Sequence, residues 1–275
     1  MLKDFSQSHP VWFCDIWGVV HNGVKPYAIA VDSLQRHRKR GGIVVLVSNS
    51  PRSTIGVSKQ LDEIGVPRDA YDTAVTSGDV TRALMQIHGG RKLFHLGPVR
   101  DASIFMNMEI ERVTIAEAGA VICTGLFHDD YETPNDYVEL LAEIKARNLT
   151  FICANPDKVV RIGGTLKYCA GALAESYAAL GGEVLMAGKP FAPIYDLAVA
   201  EAGRIRGSEI DRLEILAIGD GPETDIRGAT DQRFDCIFVT GLSEKAGQSL
   251  ADEDAAIKTE FPDTAILATV AALNW

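Results

Sequence analysis

The sequence predicts an α/β protein: an open, doubly wound parallel sheet interrupted by an inserted α/β domain. Short apolar runs alternate with helix-length amphipathic segments along the chain, a pattern typical of βαβ units. Apolar runs of this kind suit strands that are buried on both faces. At 275 residues the chain is longer than a usual single domain but too short for three, which favours one large domain carrying a smaller one.

The predicted elements follow from these two patterns. Continuous apolar runs predict strands at residues 11–17, 43–48, 93–96, 120–125, 151–154, 216–218 and 236–240. Apolar residues at three- and four-residue spacing predict helices with one buried face at residues 30–40, 54–64, 136–147, 166–180 and 194–205.

Composition narrows the class of protein. A hydrophobic content of 47% and a charged content of 23% are typical of soluble globular proteins. The net charge of -10 gives no field that attracts a polyanion, so we expect no nucleic-acid partner. The chain shows neither an apolar run of about 18 residues nor an apolar signal segment at its start, which predicts a cytoplasmic protein without a membrane partner. Five cysteines without CxxC spacing are expected to be reduced core residues.

Several predicted strands end in small or polar residues. Asp15 lies near the end of the first strand, Ser48 and Asn49 lie at the end of the second, and Asp220 follows a late one. In open α/β sheets ligands bind beyond the carboxyl ends of the strands, so we expect these residues at one crevice.

The residue types at these strand ends suit phosphate and magnesium chemistry. Carboxylates are the hard oxygen ligands that Mg²⁺ prefers, while lysine and hydroxyl groups hold phosphate oxygens. A carboxylate can also be the nucleophile, because aspartate forms acyl phosphates in phosphoryl transfer. Taken alone, Asp15 or Asp220 is equally well a turn or helix-cap residue. The order of the elements along the chain makes the set specific.

That order resembles the four motifs of the haloacid dehalogenase (HAD) superfamily. The long insert between the second and third motifs is similar to the C2-type cap of subclass IIA, which includes sugar-phosphate, nucleotide and p-nitrophenyl-phosphate phosphatases. The resembling segments are Asp15-Ile16-Trp17-Gly18-Val19, Leu46-Val47-Ser48-Asn49-Ser50, Gly188-Lys189-Pro190, residues 218–225 and, within the insert, Ala154-Asn155-Pro156-Asp157. The resemblance implies a catalytic core at residues 1–77 and 187–275 and a cap at residues 78–186.

The resemblance also implies a magnesium site. Asp15 would attack phosphorus and bind Mg²⁺, together with Asp220 and the backbone carbonyl of Trp17. Asp225 would hold the metal or its waters from the outer shell.

The implied phosphate site uses different side chains. Ser48 would hydrogen-bond the transferring phosphoryl group with Asn49 alongside, and Lys189 would neutralise charge on the nucleophile and the phosphate. Arg52, Asn155 and Asp157 are further candidates for substrate binding. A surface role for Arg52, and a strand-ending turn for Asn155 and Asp157, are equally good interpretations.

Trp17 departs from the pattern of these phosphatases, which carry an aspartate there to protonate the leaving group. An indole cannot do general acid–base work. Three interpretations remain open. His21 substitutes as the acid and base; or the substrate has a good leaving group, such as an acyl phosphate; or the protein is a weak phosphoester binder with a regulatory role.

The resemblance thus implies a Mg²⁺-dependent phosphatase that hydrolyses a small phosphorylated metabolite through an aspartyl-phosphate on Asp15. The alternative from another class is a non-catalytic sensor that keeps the phosphate and Mg²⁺ site, and Trp17 favours it. The sequence does not identify the substrate, and it leaves open whether the chain forms a homo-oligomer.

Overall fold

The computed structural model describes residues 2–162, 165–241 and 249–275. They form two compact units. The first unit contains the chain up to Ser48, Gly56–Val75 and the chain from Lys189 onward, and the second contains Asn49–Ile55 and Thr76–Gly188. Asn49, directly after Ser48, is therefore the first residue of the second unit, and Gly188, directly before Lys189, is its last.

The helices and strands alternate along most of the chain. The helices of the described residues are α1 (Leu2–Ser8), α2 (Ala28–Lys39), α3 (Thr54–Ile64), α4 (Ser77–Leu84), α5 (Val138–Ala146), α6 (Ala170–Ala179), α7 (Ala192–Arg206), α8 (Arg227–Gln232) and α9 (Leu250–Glu260). The strands are β1 (Val11–Asp15), β2 (Ile43–Ser48), β3 (Thr73–Thr76), β4 (Lys92–Leu96), β5 (Glu111–Arg112), β6 (Ala120–Cys123), β7 (Thr150–Cys153), β8 (Val159–Ile162), β9 (Thr165–Tyr168), β10 (Val184–Met186), β11 (Ile215–Gly219), β12 (Asp235–Val239) and β13 (Ile266–Val270).

The first unit is built on a six-stranded sheet in the order β13-β12-β11-β1-β2-β3. Its central strands pair in parallel, with Cys14 level with Ile218 on one side and Asp15 level with Val47 on the other. The carboxyl ends of β1, β2 and β11 therefore lie at the same edge of the sheet. The predicted parallel α/β fold is confirmed, and the reason is visible in these strands: the apolar side chains of all three are buried on both faces.

The second unit contains a five-stranded parallel sheet in the order β10-β7-β6-β4-β5 and the antiparallel hairpin β8–β9. The predicted helix at residues 166–180 is wrong at its start, because residues 165–168 pair with β8 and the helix begins at Ala170. Leu166 and Tyr168 alternate with polar neighbours, a strand period that the following helical spacing concealed.

Two further expectations concern the cysteines and membrane-spanning segments. All five cysteines are buried with free thiols. Among the described helices, none has the length and apolar content needed to cross a membrane.

Candidate active site

A buried lysine joins two aspartates at the carboxyl edge of the first sheet. The Lys189 ammonium donates to Asp15 Oδ1 at 2.5 Å and to Asp225 Oδ1 at 2.7 Å. All three side chains are at least nine-tenths buried, so the charges have little water around them. Charge-assisted hydrogen bonds of this kind are the strong class of protein hydrogen bonds. The lysine is thus fixed beside the residue predicted to be the nucleophile.

Asp220 completes a cluster of carboxylates at this edge. One oxygen from each of Asp15, Asp220 and Asp225 lies within 4.8 Å of the others. Three carboxylates and one ammonium carry a net charge of about -2 when all are ionised, which matches one divalent cation. Carboxylate oxygens are also the ligands that Mg²⁺ prefers. The residues present therefore fit the predicted Mg²⁺ in both charge and donor type.

The backbone of two glycines, Gly18 and Gly221, lies close to the carboxylates of Asp220 and Asp225 and holds them in place. Gly18 has φ +85°, and a Cβ built on it would lie 2.0 Å from Asp220 Oδ2, so this turn has room only for glycine. Asp225 Oδ2 accepts the backbone N–H of Gly221 at 3.0 Å while its other oxygen accepts from Lys189. Both oxygens of Asp225 therefore accept hydrogen bonds from the protein, and its outer-shell role stays a prediction. Sequence reasoning did not single out Gly18, although it lies within the first motif.

Burial and neighbouring charges shift the pKa values of Asp15 and Lys189. Burial raises the pKa of Asp15 well above its usual value; the Lys189 ammonium opposes this shift, and the carboxylates of Asp225 and Asp220 add to it. Burial alone would lower the pKa of Lys189, but the carboxylates of Asp15 and Asp225 outweigh burial and raise that pKa. Lys189 is consequently a permanent cation here, and a divalent cation is the further charge that would keep Asp15 ionised.

The loop after β1 carries Trp17 and His21. Their rings meet edge to face, with centroids 5.4 Å apart, and a Cβ on Gly23 would lie 2.4 Å from the indole Cη2. His21 is buried, and its Nδ1 accepts the backbone N–H of Gly23 at 2.9 Å. Burial lowers the pKa of His21, so its ring is neutral with the proton on Nε2. A nitrogen whose lone pair is already occupied is a poor base, which argues against His21 as the substitute for an acid–base aspartate.

Ser48 occupies the carboxyl end of β2, one residue beyond the position level with Asp15. It therefore lies at the same edge of the sheet as the carboxylates. The other predicted phosphate ligand, Asn49, belongs to the second unit and donates from Nδ2 to Asp157 Oδ1 at 2.8 Å.

The remaining predicted substrate residues also belong to the second unit. Asn155 Oδ1 accepts the backbone N–H of Asp157 at 3.1 Å, the turn that sequence analysis gave as its alternative. Arg52 is exposed, and its charge opposes the effect of burial that raises the pKa of Asp101.

The fold and the site define an α/β protein with a lysine and three carboxylates gathered at the carboxyl edge of its sheet. A family model described as haloacid dehalogenase-like hydrolase matches residues 12–111, and a second, described as HAD-hydrolase-like, matches residues 186–272. A haloacid dehalogenase-like hydrolase from Brucella suis, known from a crystal structure, is 47% identical to this chain in sequence. The match covers 91% of this chain and 94% of the Brucella suis chain, with a TM-score of 0.83. The chain belongs to the haloacid dehalogenase-like hydrolase family, which confirms the resemblance and the predicted hydrolase class.

Two phosphatases are more distant relatives. A 4-nitrophenylphosphatase of Schizosaccharomyces pombe is 23% identical over 94% of this chain and 92% of its own. A glycerol phosphate phosphatase from Mycobacterium tuberculosis, whose structure was solved in complex with magnesium, is 26% identical to this chain in sequence. The match covers 86% of this chain and 68% of the phosphatase chain, with a TM-score of 0.64.

Proposed function

We propose that this protein is a Mg²⁺-dependent phosphatase that hydrolyses a small phosphorylated metabolite through an aspartyl-phosphate on Asp15. The observation that carries the proposal is the buried contact between Asp15 and Lys189, with Asp220 and Asp225 beside it. A carboxylate with one oxygen held by a fixed cation is what a nucleophile attacking a phosphate anion needs. The names of the two phosphatase relatives support the same reaction class.

The proposed first step transfers the phosphoryl group to Asp15. Lys189 engages Oδ1, so we assign Oδ2 to the attack on phosphorus. A bond forms from Oδ2 to phosphorus as the bond to the leaving oxygen breaks, and that oxygen departs with the electron pair. Lys189 and the hydroxyl of Ser48 stabilise the charge on the phosphoryl oxygens. Water then hydrolyses the acyl phosphate, which releases phosphate and restores the Asp15 carboxylate.

Mg²⁺ would be held by Asp15, Asp220 and the backbone carbonyl of Trp17, with Asp225 in the outer shell. When bound, it supplies charge stabilisation for the phosphoryl oxygens and for the nucleophilic carboxylate. The alternative of a non-catalytic sensor receives less support. A protein that only binds a phosphoester does not need a nucleophilic carboxylate such as Asp15 next to a buried lysine.

The test is phosphate release from acetyl phosphate, p-nitrophenyl phosphate and sugar phosphates, with and without Mg²⁺. The matched control is Asp15→Asn, which keeps the size of the side chain but removes the nucleophile. We expect Mg²⁺-dependent release by the wild type and loss of that release in the variant. Wild-type turnover in Asp15→Asn, or binding without release by the wild type for every substrate, would overturn the proposal.

A further inference from the structure

Asn49 and Gly188 are the first and last residues of the second unit, and they lie against each other. A Cβ built on Gly188 would be 2.4 Å from Asn49 Oδ1 and 2.8 Å from the Cδ of Pro156. Asn49 is buried, and its Nδ2 donates to Asp157 Oδ1 at 2.8 Å. We name Asn49, Pro156, Asp157 and Gly188 the clasp.

The clasp is adjacent in the chain to two residues of the proposed active site. Ser48 directly precedes Asn49, and Lys189 directly follows Gly188. The Lys189 ammonium makes two short contacts at once, to Asp15 and Asp225, and both depend on where the backbone of residue 189 lies. A small displacement of either segment moves Ser48 or Lys189 relative to the phosphoryl group, and misplacement by about 1 Å can cost 10²-fold in rate.

We propose that Asp157 is a positioning residue, which fixes Ser48 and Lys189 through Asn49 and Gly188 rather than by touching substrate. This inference rests on the proposed phosphatase function. Asn49 Nδ2 donates to the Asp157 carboxylate, so we assign this pair to holding the chain segment in place and not to binding the substrate. Without Asp157, the buried amide of Asn49 loses this acceptor, a loss that favours rearrangement of the segment.

The structure also explains why the clasp is tight. A Cβ on Gly171 would lie 2.1 Å from the carbonyl oxygen of Pro156, and Gly171 donates its backbone N–H to the carbonyl of Asp157 at 3.1 Å. The start of α6 therefore supports the loop that carries Asp157. Glycine at 171 and at 188 lets the loop approach both the helix and the departing chain.

The test compares Asp157→Leu, which removes the acceptor at similar size, with Asp157→Asn, which keeps an oxygen acceptor for the Asn49 amide. The control is Glu175→Gln, which breaks the exposed ion pair of the neighbouring Lys158. With p-nitrophenyl phosphate, we expect kcat to fall about tenfold in Asp157→Leu while KM changes by less than about twofold. Asp157→Asn and Glu175→Gln should keep wild-type kcat.

Hydrogen exchange gives a second readout that does not need turnover. Amides of residues 46–50 and 186–189 should exchange faster in Asp157→Leu and at the wild-type rate in Asp157→Asn. Unchanged kcat and exchange in Asp157→Leu would overturn the inference, as would a raised KM at constant kcat or an equal loss in Asp157→Asn. Absence of phosphate release by the wild type would instead remove the proposed function, and the exchange data would still decide on the clasp.

Discussion

Replacing Trp17 tests what limits the choice of substrate. The residue lies two positions after Asp15, and the next residue, Gly18, is in contact distance of Asp220. A carboxylic acid at position 17 would thus lie one residue from the carboxylate cluster, where the oxygen of the leaving group must depart. We predict that Trp17→Asp introduces a general acid, whereas Trp17→Asn, of equal size, does not.

The expected magnitude has two parts. General acid–base assistance is worth about 10² to 10⁴ in rate when the leaving group is poor, and almost nothing when it departs as a stable anion. Removing the half-buried indole from His21 and Gly23 should lower the free energy of unfolding by about 1–3 kcal/mol, less than for a fully buried tryptophan. Both variants lose the same indole contacts, so the ratio of their rates cancels this cost.

The assay is kcat for acetyl phosphate and for a sugar phosphate, measured for the wild type and both variants below their melting temperatures. The Trp17→Asp to Trp17→Asn ratio should be about 10² or more for the sugar phosphate and close to one for acetyl phosphate. The wild type should strongly prefer acetyl phosphate. Equal ratios for the two substrates, or a wild type that turns over both equally well, would refute the reasoning.

Three further predictions concern charge and stability. Lys189→Met should lower the free energy of unfolding by about 3–5 kcal/mol, because it leaves Asp15 and Asp225 buried without a counter-charge, and urea titration without Mg²⁺ measures this; an unchanged midpoint would contradict the ion-pair geometry. Mg²⁺ at 100 times its Kd should stabilise the wild type by about 2.7 kcal/mol, and the increase in melting temperature should be absent from Asp220→Ala. Burial lowers the pKa of His37 to about 4, against about 6.5 when unfolded, so the unfolded state binds the proton first as pH falls. Stability should therefore fall by about 2 kcal/mol between pH 7 and 5 through His37 alone, and His37→Phe should lack this part of the decline; an identical decline in the variant would exclude His37 as its source.

The sequence predicted best those features that local pattern determines. The strands β1, β2 and β11 are uniformly apolar and end in polar residues, so their burial and the edge shared by Asp15, Ser48 and Asp220 follow from the pattern. Strand β9 was not predicted, because its short alternation of apolar and polar residues is followed almost directly by the apolar spacing of helix α6.

Contacts between side chains that are far apart in the sequence could not be predicted from local patterns. The contact between Asn49 and Asp157 joins residues 108 positions apart, and no periodicity reports it. Both residues were predicted to bind the substrate, and only the folded chain shows that their side chains bind each other. The same holds for the two contacts of Lys189, which was predicted beside the nucleophile but not bonded to Asp225.

The strand order of the first sheet has a consequence during synthesis on the ribosome. Strand β1 lies between β2 and β11, and β11 begins only at Ile215, after every strand from β2 to β10 has been made. Until then, one edge of the apolar strand β1 has no partner, and unpaired apolar edges promote aggregation. We expect nascent or truncated chains that stop before Ile215 to depend on chaperones, although their second unit already contains all its strands.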